Sequence, residues 1–215
     1  MSLSPVHLKP QIHRAHYDFD FDSMRSQIDE RVDAAASLMR EDTLERDGGI
    51  TTVVHCLEDP PHNWKMFDEF KLWLYDRIDE VWEDYQLQPM MRQISESWIN
   101  KHPPGAWTSE HHHQCIQVAV AVYLNVPENS GRFLVKDPTE VYKRQEPLDY
   151  HYYERGGEWE PIEITSGDIL FFPGWMYHKT EVNKSKEDRY VMSLNIRGAH
   201  QYLSLIHISE PTRPY

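Results

Sequence analysis

Apolar residues in the first ninety positions recur at spacings of three and four. Residues 21–40 place Met24, Ile28, Val32, Ala35, Ala36 and Met39 on one face, with Asp22 or Ser23 where a cap is expected, so the pattern predicts a helix. Residues 64–85 repeat it through Phe67, Phe70, Trp73, Leu74, Ile78, Val81 and Trp82, an aromatic stripe that reads as core packing. Near 87–90 the character changes. Short runs rich in Val, Ile, Tyr and Phe alternate with turn chemistry at Pro103-Pro104-Gly105, Glu128-Asn129-Ser130-Gly131, Gly156-Gly157 and Ser166-Gly167-Asp168. Strands are predicted near 92–100, 110–126, 132–135, 160–164, 168–172, 177–182 and 189–197.

The stretch 117–126 is apolar on both faces, so one side is expected to line an interior and the other to be covered, most simply by the two helices. A mainly β protein follows: a double-stranded β-helix, or jelly roll, backed by N-terminal helices. We expect one domain over residues 1–202, with 1–90 mostly helical support and 91–202 the jelly-roll core. The tail Leu203–Arg213 (LSLIHISEPTR) resembles an in-frame translation of a transposase adapter used in sequencing libraries, and 203–215 is read as non-native.

Charge and cysteine content narrow the partners. Asp plus Glu number 35 against 22 Lys plus Arg, a formal charge of −13 that repels phosphate backbones and anionic lipid, so neither nucleic acid nor membrane is expected. Two cysteines, Cys56 and Cys115, make no disulfide framework, and no charged-then-apolar leader opens the chain, which fits a cytoplasmic setting. The substrate is then expected to be a small molecule or a protein side chain. Oligomeric state has no signal in the sequence.

Most of the 13 histidines are scattered, but Glu110-His111-His112-His113 stands at the entrance of the most apolar strand. Strand alternation would point His111 and His113 to one face and His112 to the other. His178, after the turn Pro173-Gly174-Trp175, is placed to supply a third imidazole. Imidazole suits iron, zinc, copper or nickel, so spacing alone does not choose the metal.

The order of elements over residues 97–195 resembles the iron(II) and 2-oxoglutarate-dependent oxygenases, especially a small type found in marine phage and bacterial genomes. The carriers are Ser97-Trp98-Ile99-Asn100; His111-x-His113; Val122-Tyr123-Leu124-Asn125-Val126-Pro127-Glu128-Asn129-Ser130-Gly131; Gly167-Asp168-Ile169-Leu170-Phe171-Phe172-Pro173-Gly174-Trp175-Met176-Tyr177-His178; and Arg189-Tyr190-Val191-Met192-Ser193-Leu194-Asn195. The resemblance implies Fe(II) held by His111, His113 and His178, and a far carboxylate of 2-oxoglutarate paired with Arg189, whose planar fork matches it. Ser193 and Asn195 share a face with Arg189, and Tyr123 and Gln117 share strand parity with the histidines; all four are cosubstrate-side candidates. Asn100 and Trp98 are candidates on the substrate side. The implied reaction is oxidative decarboxylation of the cosubstrate coupled to hydroxylation of a C–H bond, with halogenation or desaturation as variants.

His113 departs from the pattern, which has a carboxylate there. It completes a three-histidine site, or is displaced so that halide or water fills the position, or yields to Glu110 or Asp137; the first is preferred, and Glu110 has the wrong parity. Two further readings stay open: a three-histidine cupin-type dioxygenase without 2-oxoglutarate, and a jelly-roll binding module without a catalytic metal.

Overall fold

Asp20, rather than Asp22 or Ser23, caps the first helix: its carboxylate accepts the Ser23 N–H at 3.4 Å, and α1 runs Phe21–Ala36. The computed structural model describes residues 12–38, 47–138 and 158–199. The expected tail 203–215 lies outside these. Helix α2, Asp68–Asp84, starts later than the apolar period suggests, because Trp64 is extended (ψ 134°) between two single-turn 3₁₀ helices at Pro61–Asn63 and Lys65–Phe67. No described helix is long and apolar enough to cross a membrane.

The strands among the described residues are β1 His13–His16, β2 Ile50–Thr51, β3 Met91–His102, β4 Val118–Asn125, β5 Phe133–Lys136, β6 Trp159–Ile162, β7 Asp168–Pro173, β8 His178–Thr180 and β9 Arg189–Ala199. A six-stranded sheet runs β1-β7-β4-β9-β3-β2 and a three-stranded sheet runs β6-β5-β8, with every pairing antiparallel. Strands β1 and β2 come from the region read as helical and form both edges of the larger sheet. At four and two residues, they are too short for alternation to show.

Parity divides the core as the pattern of 117–126 requires. Val118, Val120, Val122 and Leu124 of β4 join Ile169, Phe171, Met192, Leu194 and Ile196 against the helix residues Ile28, Val32, Phe70, Leu74 and Ile78. Ala119, Ala121 and Tyr123 face the other way, with Leu170, Phe172 and Val191, onto Phe133 and Val135 of the smaller sheet. This is the jelly roll backed by helices. A register shift between Ile94 and Glu96 changes the parity of β3. Ile94 therefore packs toward the helices with Ile99, whereas Glu96 takes the same side of the strand as Trp98, Asn100 and His102.

Polar contacts tie α1 to the sheet. The Asp29 carboxylate accepts from Lys101 Nζ at 2.8 Å and from the Tyr190 hydroxyl at 2.6 Å. Burial raises the Asp29 pKa, but those hydrogen bonds and the Lys101 and Arg25 charges outweigh it, so the carboxyl ends below its ordinary 3.8. Asp29→Asn is expected to cost about 1–3 kcal/mol. A carboxylate depressed by folding contributes fully above its unfolded pKa and loses that contribution as pH falls through the folded value. The gap between wild type and variant in urea melts should thus hold steady from neutral pH to about 5 and close in stronger acid.

Candidate metal centre

His111, His113 and His178 converge, each offering a ligand atom within 4.8 Å of the others'. Strand alternation is not what brings them together. Strand β4 begins only at Val118, and residues before it turn through Gln114-Cys115, where Cys115 has φ 59°. His111 instead bridges to β8: its N–H donates to the His178 carbonyl at 3.0 Å and the His178 N–H returns a bond at 2.9 Å. The His113 N–H donates to the Gly174 carbonyl at 2.8 Å. Gly174 has to be glycine for this approach, since a Cβ there would overlap the Ile116 carbonyl oxygen and sit 2.8 Å from the Ile116 Cβ.

Each ring is oriented from outside. His111 Nδ1 lies 2.8 Å from the Ser109 carbonyl and His178 Nδ1 lies 2.9 Å from the Met176 carbonyl. Both contacts require an N–H at Nδ1, which leaves Nε2 with its lone pair free for a metal. Burial, followed by the neighbouring imidazoles, lowers the pKa of all three rings; His113 is pushed down to about 4. They are neutral at physiological pH, the state in which a ring nitrogen can ligate a metal. Neutral imidazole nitrogens grouped this closely, one ring buried and two partly buried, suit a transition metal.

The cavity in front of them has a volume of about 90 Å³ and is lined by Trp98, Asn100, Tyr123, Phe172, Val191 and Ser193, and also by Thr108, His102 and Thr180. Behind Thr180 stands Arg189, fully buried. Its Nη1 donates to the Ser130 carbonyl at 2.6 Å and the Gly131 carbonyl at 3.1 Å, and its Nη2 donates to Thr180 Oγ1 at 2.9 Å, while Nε has no partner. Among the described residues no carboxylate pairs with it. Glu181, whose charge it feels, is bound by Arg132 at 2.6 Å, which holds that carboxyl down to about 2. Gly131 (φ 88°) makes the turn possible, because a Cβ would lie 2.7 Å from the Glu181 carbonyl oxygen. An unpaired buried cation is costly and marks a place for an anion.

Residues 96–195 match the family model described as "Putative 2OG-Fe(II) oxygenase", where 2OG is 2-oxoglutarate. The chain carries a 2OG-Fe(II) oxygenase domain. The cofactors of that family are Fe(II) and 2-oxoglutarate. No curated protein sequence matches the chain. The oxygenase fold extends through known structures: a Pseudomonas putida prolyl-4-hydroxylase (16% identity, TM-score 0.56, 87% of this chain and 93% of that one) and HygX from Streptomyces hygroscopicus with nickel, 2-oxoglutarate and hygromycin B bound (16%, 0.57, 89% and 84%). A viral collagen prolyl hydroxylase from Paramecium Bursaria Chlorella virus-1 is similar as well (12%, 0.54, 87% and 96%).

In the oxygenase, the cosubstrate-side candidates separate. Tyr123 lines the cavity and is in electrostatic contact with Arg189; burial raises its pKa above the usual value. Ser193 also lines it, its hydroxyl accepting from Asn100 Nδ2 at 3.3 Å. Asn195 lies beside His113, away from Arg189 in the register, and Gln117 is exposed with its Oε1 accepting the Gly198 N–H at 3.1 Å, outside the cavity lining. Glu110 turns to Lys136 (3.4 Å), and Asp137 lies along another pocket, so neither carboxylate joins the histidines. Residues 139–157 lie outside the described residues. Sequence reasoning passed over Thr180 and His102. Two-residue alternation from His178 on β8, and from Trp98 and Asn100 on β3, was the available signal.

Proposed function

We propose that His111, His113 and His178 hold Fe(II), that Arg189 receives the far carboxylate of 2-oxoglutarate, and that the enzyme hydroxylates a C–H bond of a small molecule or a protein side chain. The convergence of three neutral imidazoles, His178 buried and His111 and His113 partly so, carries this reading. Fe(II) with 2-oxoglutarate supplies the dioxygen activation needed to break a C–H bond. The chain's own residues do the rest. Thr180, two residues beyond His178 on β8 and so about 6.6 Å along the strand, stands between metal and cation at a span that suits a five-carbon diacid. Tyr123, Phe172 and Val191 exclude water around the cosubstrate, and the Asn100–Ser193 pair presents polar groups to a substrate.

Burial of Arg189 favours this over a cupin-type dioxygenase that binds substrate directly on the metal, since that chemistry leaves the cation unused. The structural relatives are named for both substrate classes, proline side chains and hygromycin B. Free Cys56 and Cys115 suit the reducing cytoplasm.

Anaerobic addition of Fe(II) and then 2-oxoglutarate should produce a visible metal-to-ligand charge-transfer band, and admitting air should yield succinate. Folded protein giving neither refutes the cosubstrate assignment. His113→Ala should weaken Fe(II) binding, whereas His113→Asp should retain it.

A further inference from the structure

We infer that Glu96, acting through Asn195, supplies the negative charge that His113 does not carry, and that the pair positions the His113 ring for the metal. This rests on the reading of His113 as a ligand. His111 and His178 each have a backbone carbonyl behind the ring, from Ser109 and Met176. His113 has none among the described contacts; the Asn195 side chain occupies that place.

Asn195 is 5% exposed, and its Nδ2 donates to Glu96 Oε2 at 2.6 Å. An amide anchored through its nitrogen must present its oxygen on the other side. Asn195 Oδ1 is buried without a well-formed hydrogen bond of its own, an unfilled acceptor beside the ring. Accepting an imidazole N–H there would fix the tautomer of His113 and leave its other nitrogen for the metal, as the carbonyls do for the other two rings. Trp98 stacks on the ring at 5.8 Å between centroids and holds its plane.

The negative charge acts whichever tautomer His113 adopts. Where the family places a carboxylate on the metal, this chain has a neutral ring, and a carboxylate stands one amide behind it. The register shift at Ser95 makes that possible, because it brings Glu96 onto the cavity side of β3, opposite Asn195. The only other ionic contact of Glu96 among the described residues is a loose one to Arg197 Nη2, 3.9 Å away on the exposed side.

The test uses the full chain loaded anaerobically with Co(II), with affinity read by chelator competition and exchangeable ring N–H signals read by paramagnetically shifted proton NMR. Glu96→Gln keeps the acceptor and removes the charge; its Kd for Co(II) should rise about 3- to 10-fold, with the melting temperature of metal-free protein unchanged. Asn195→Leu should raise Kd about 10- to 100-fold and abolish or broaden one of three shifted N–H signals. Wild-type affinity in Glu96→Gln overturns the charge role, and three sharp signals in Asn195→Leu overturn the positioning role. If His113→Ala binds Co(II) as tightly as wild type, the ligand assignment itself fails; if that variant is weakened while Glu96→Gln and Asn195→Leu are silent, only the present inference fails.

Discussion

His178→Ala is expected to lower Fe(II) affinity by about 100-fold or more and to remove 2-oxoglutarate turnover with it. His178 is the most buried of the three histidines, and its main chain also closes the bridge to His111. That bridge uses backbone atoms and survives truncation of the ring, so the metal-free variant should fold with a melting temperature within a few degrees of wild type. Isothermal titration of Fe(II) under argon, together with a thermal melt, separates the two effects. A variant that binds Fe(II) normally would show that the three rings are a packing cluster.

Arg189→Met has the second large effect, and here stability and binding should part. Among the described residues no carboxylate pairs with the guanidinium, so its desolvation is only partly offset by three neutral acceptors at 2.6–3.1 Å. Replacing it with an apolar side chain of similar length removes that burden while leaving the Ser130 and Gly131 carbonyls unpaired, and the two terms roughly cancel in the melting temperature. Cosubstrate binding has no such compensation. Loss of a buried charge-assisted contact costs about 2–4 kcal/mol, or roughly 30- to 700-fold in the Kd for 2-oxoglutarate, with Fe(II) affinity unchanged. An equal Kd in both proteins would place the cosubstrate elsewhere.

His102 extends this picture. Its Nε2 lies 2.8 Å from Thr108 Oγ1, and burial followed by the Arg189 charge pushes its pKa down to about 3. The region around Arg189 thus contains one cation and a ring that declines to become a second.

Alternation in 117–126 was sufficient to divide β4 into a helix face and a barrel face, because side-chain period 2 is a local property of an extended backbone. The three-and-four spacing likewise located α1 and α2, and the run from Gly167 to His178 located β7 and the turn after it. What alternation misjudged was the approach to β4. His111 and His113 do share a site, but through a bridge to β8 and an N–H donated to Gly174, contacts between segments some sixty residues apart. The edges β1 and β2 were equally hidden, since strands of four and two residues exist only by pairing with β7 and β3.

The sequence by itself determined the fold class, the helical backing and the candidate histidines, because each rests on residue type and near-neighbour spacing, whereas Arg189 entered through the resemblance to the oxygenases. Tertiary structure alone decided how those histidines meet, that Arg189 is buried with no counter-charge among the described residues, that Gln117 lies outside the cavity, and that Glu96 stands behind His113. These depend on strand register and on one bulge, which are settled by packing between distant segments and leave no periodic trace in the chain.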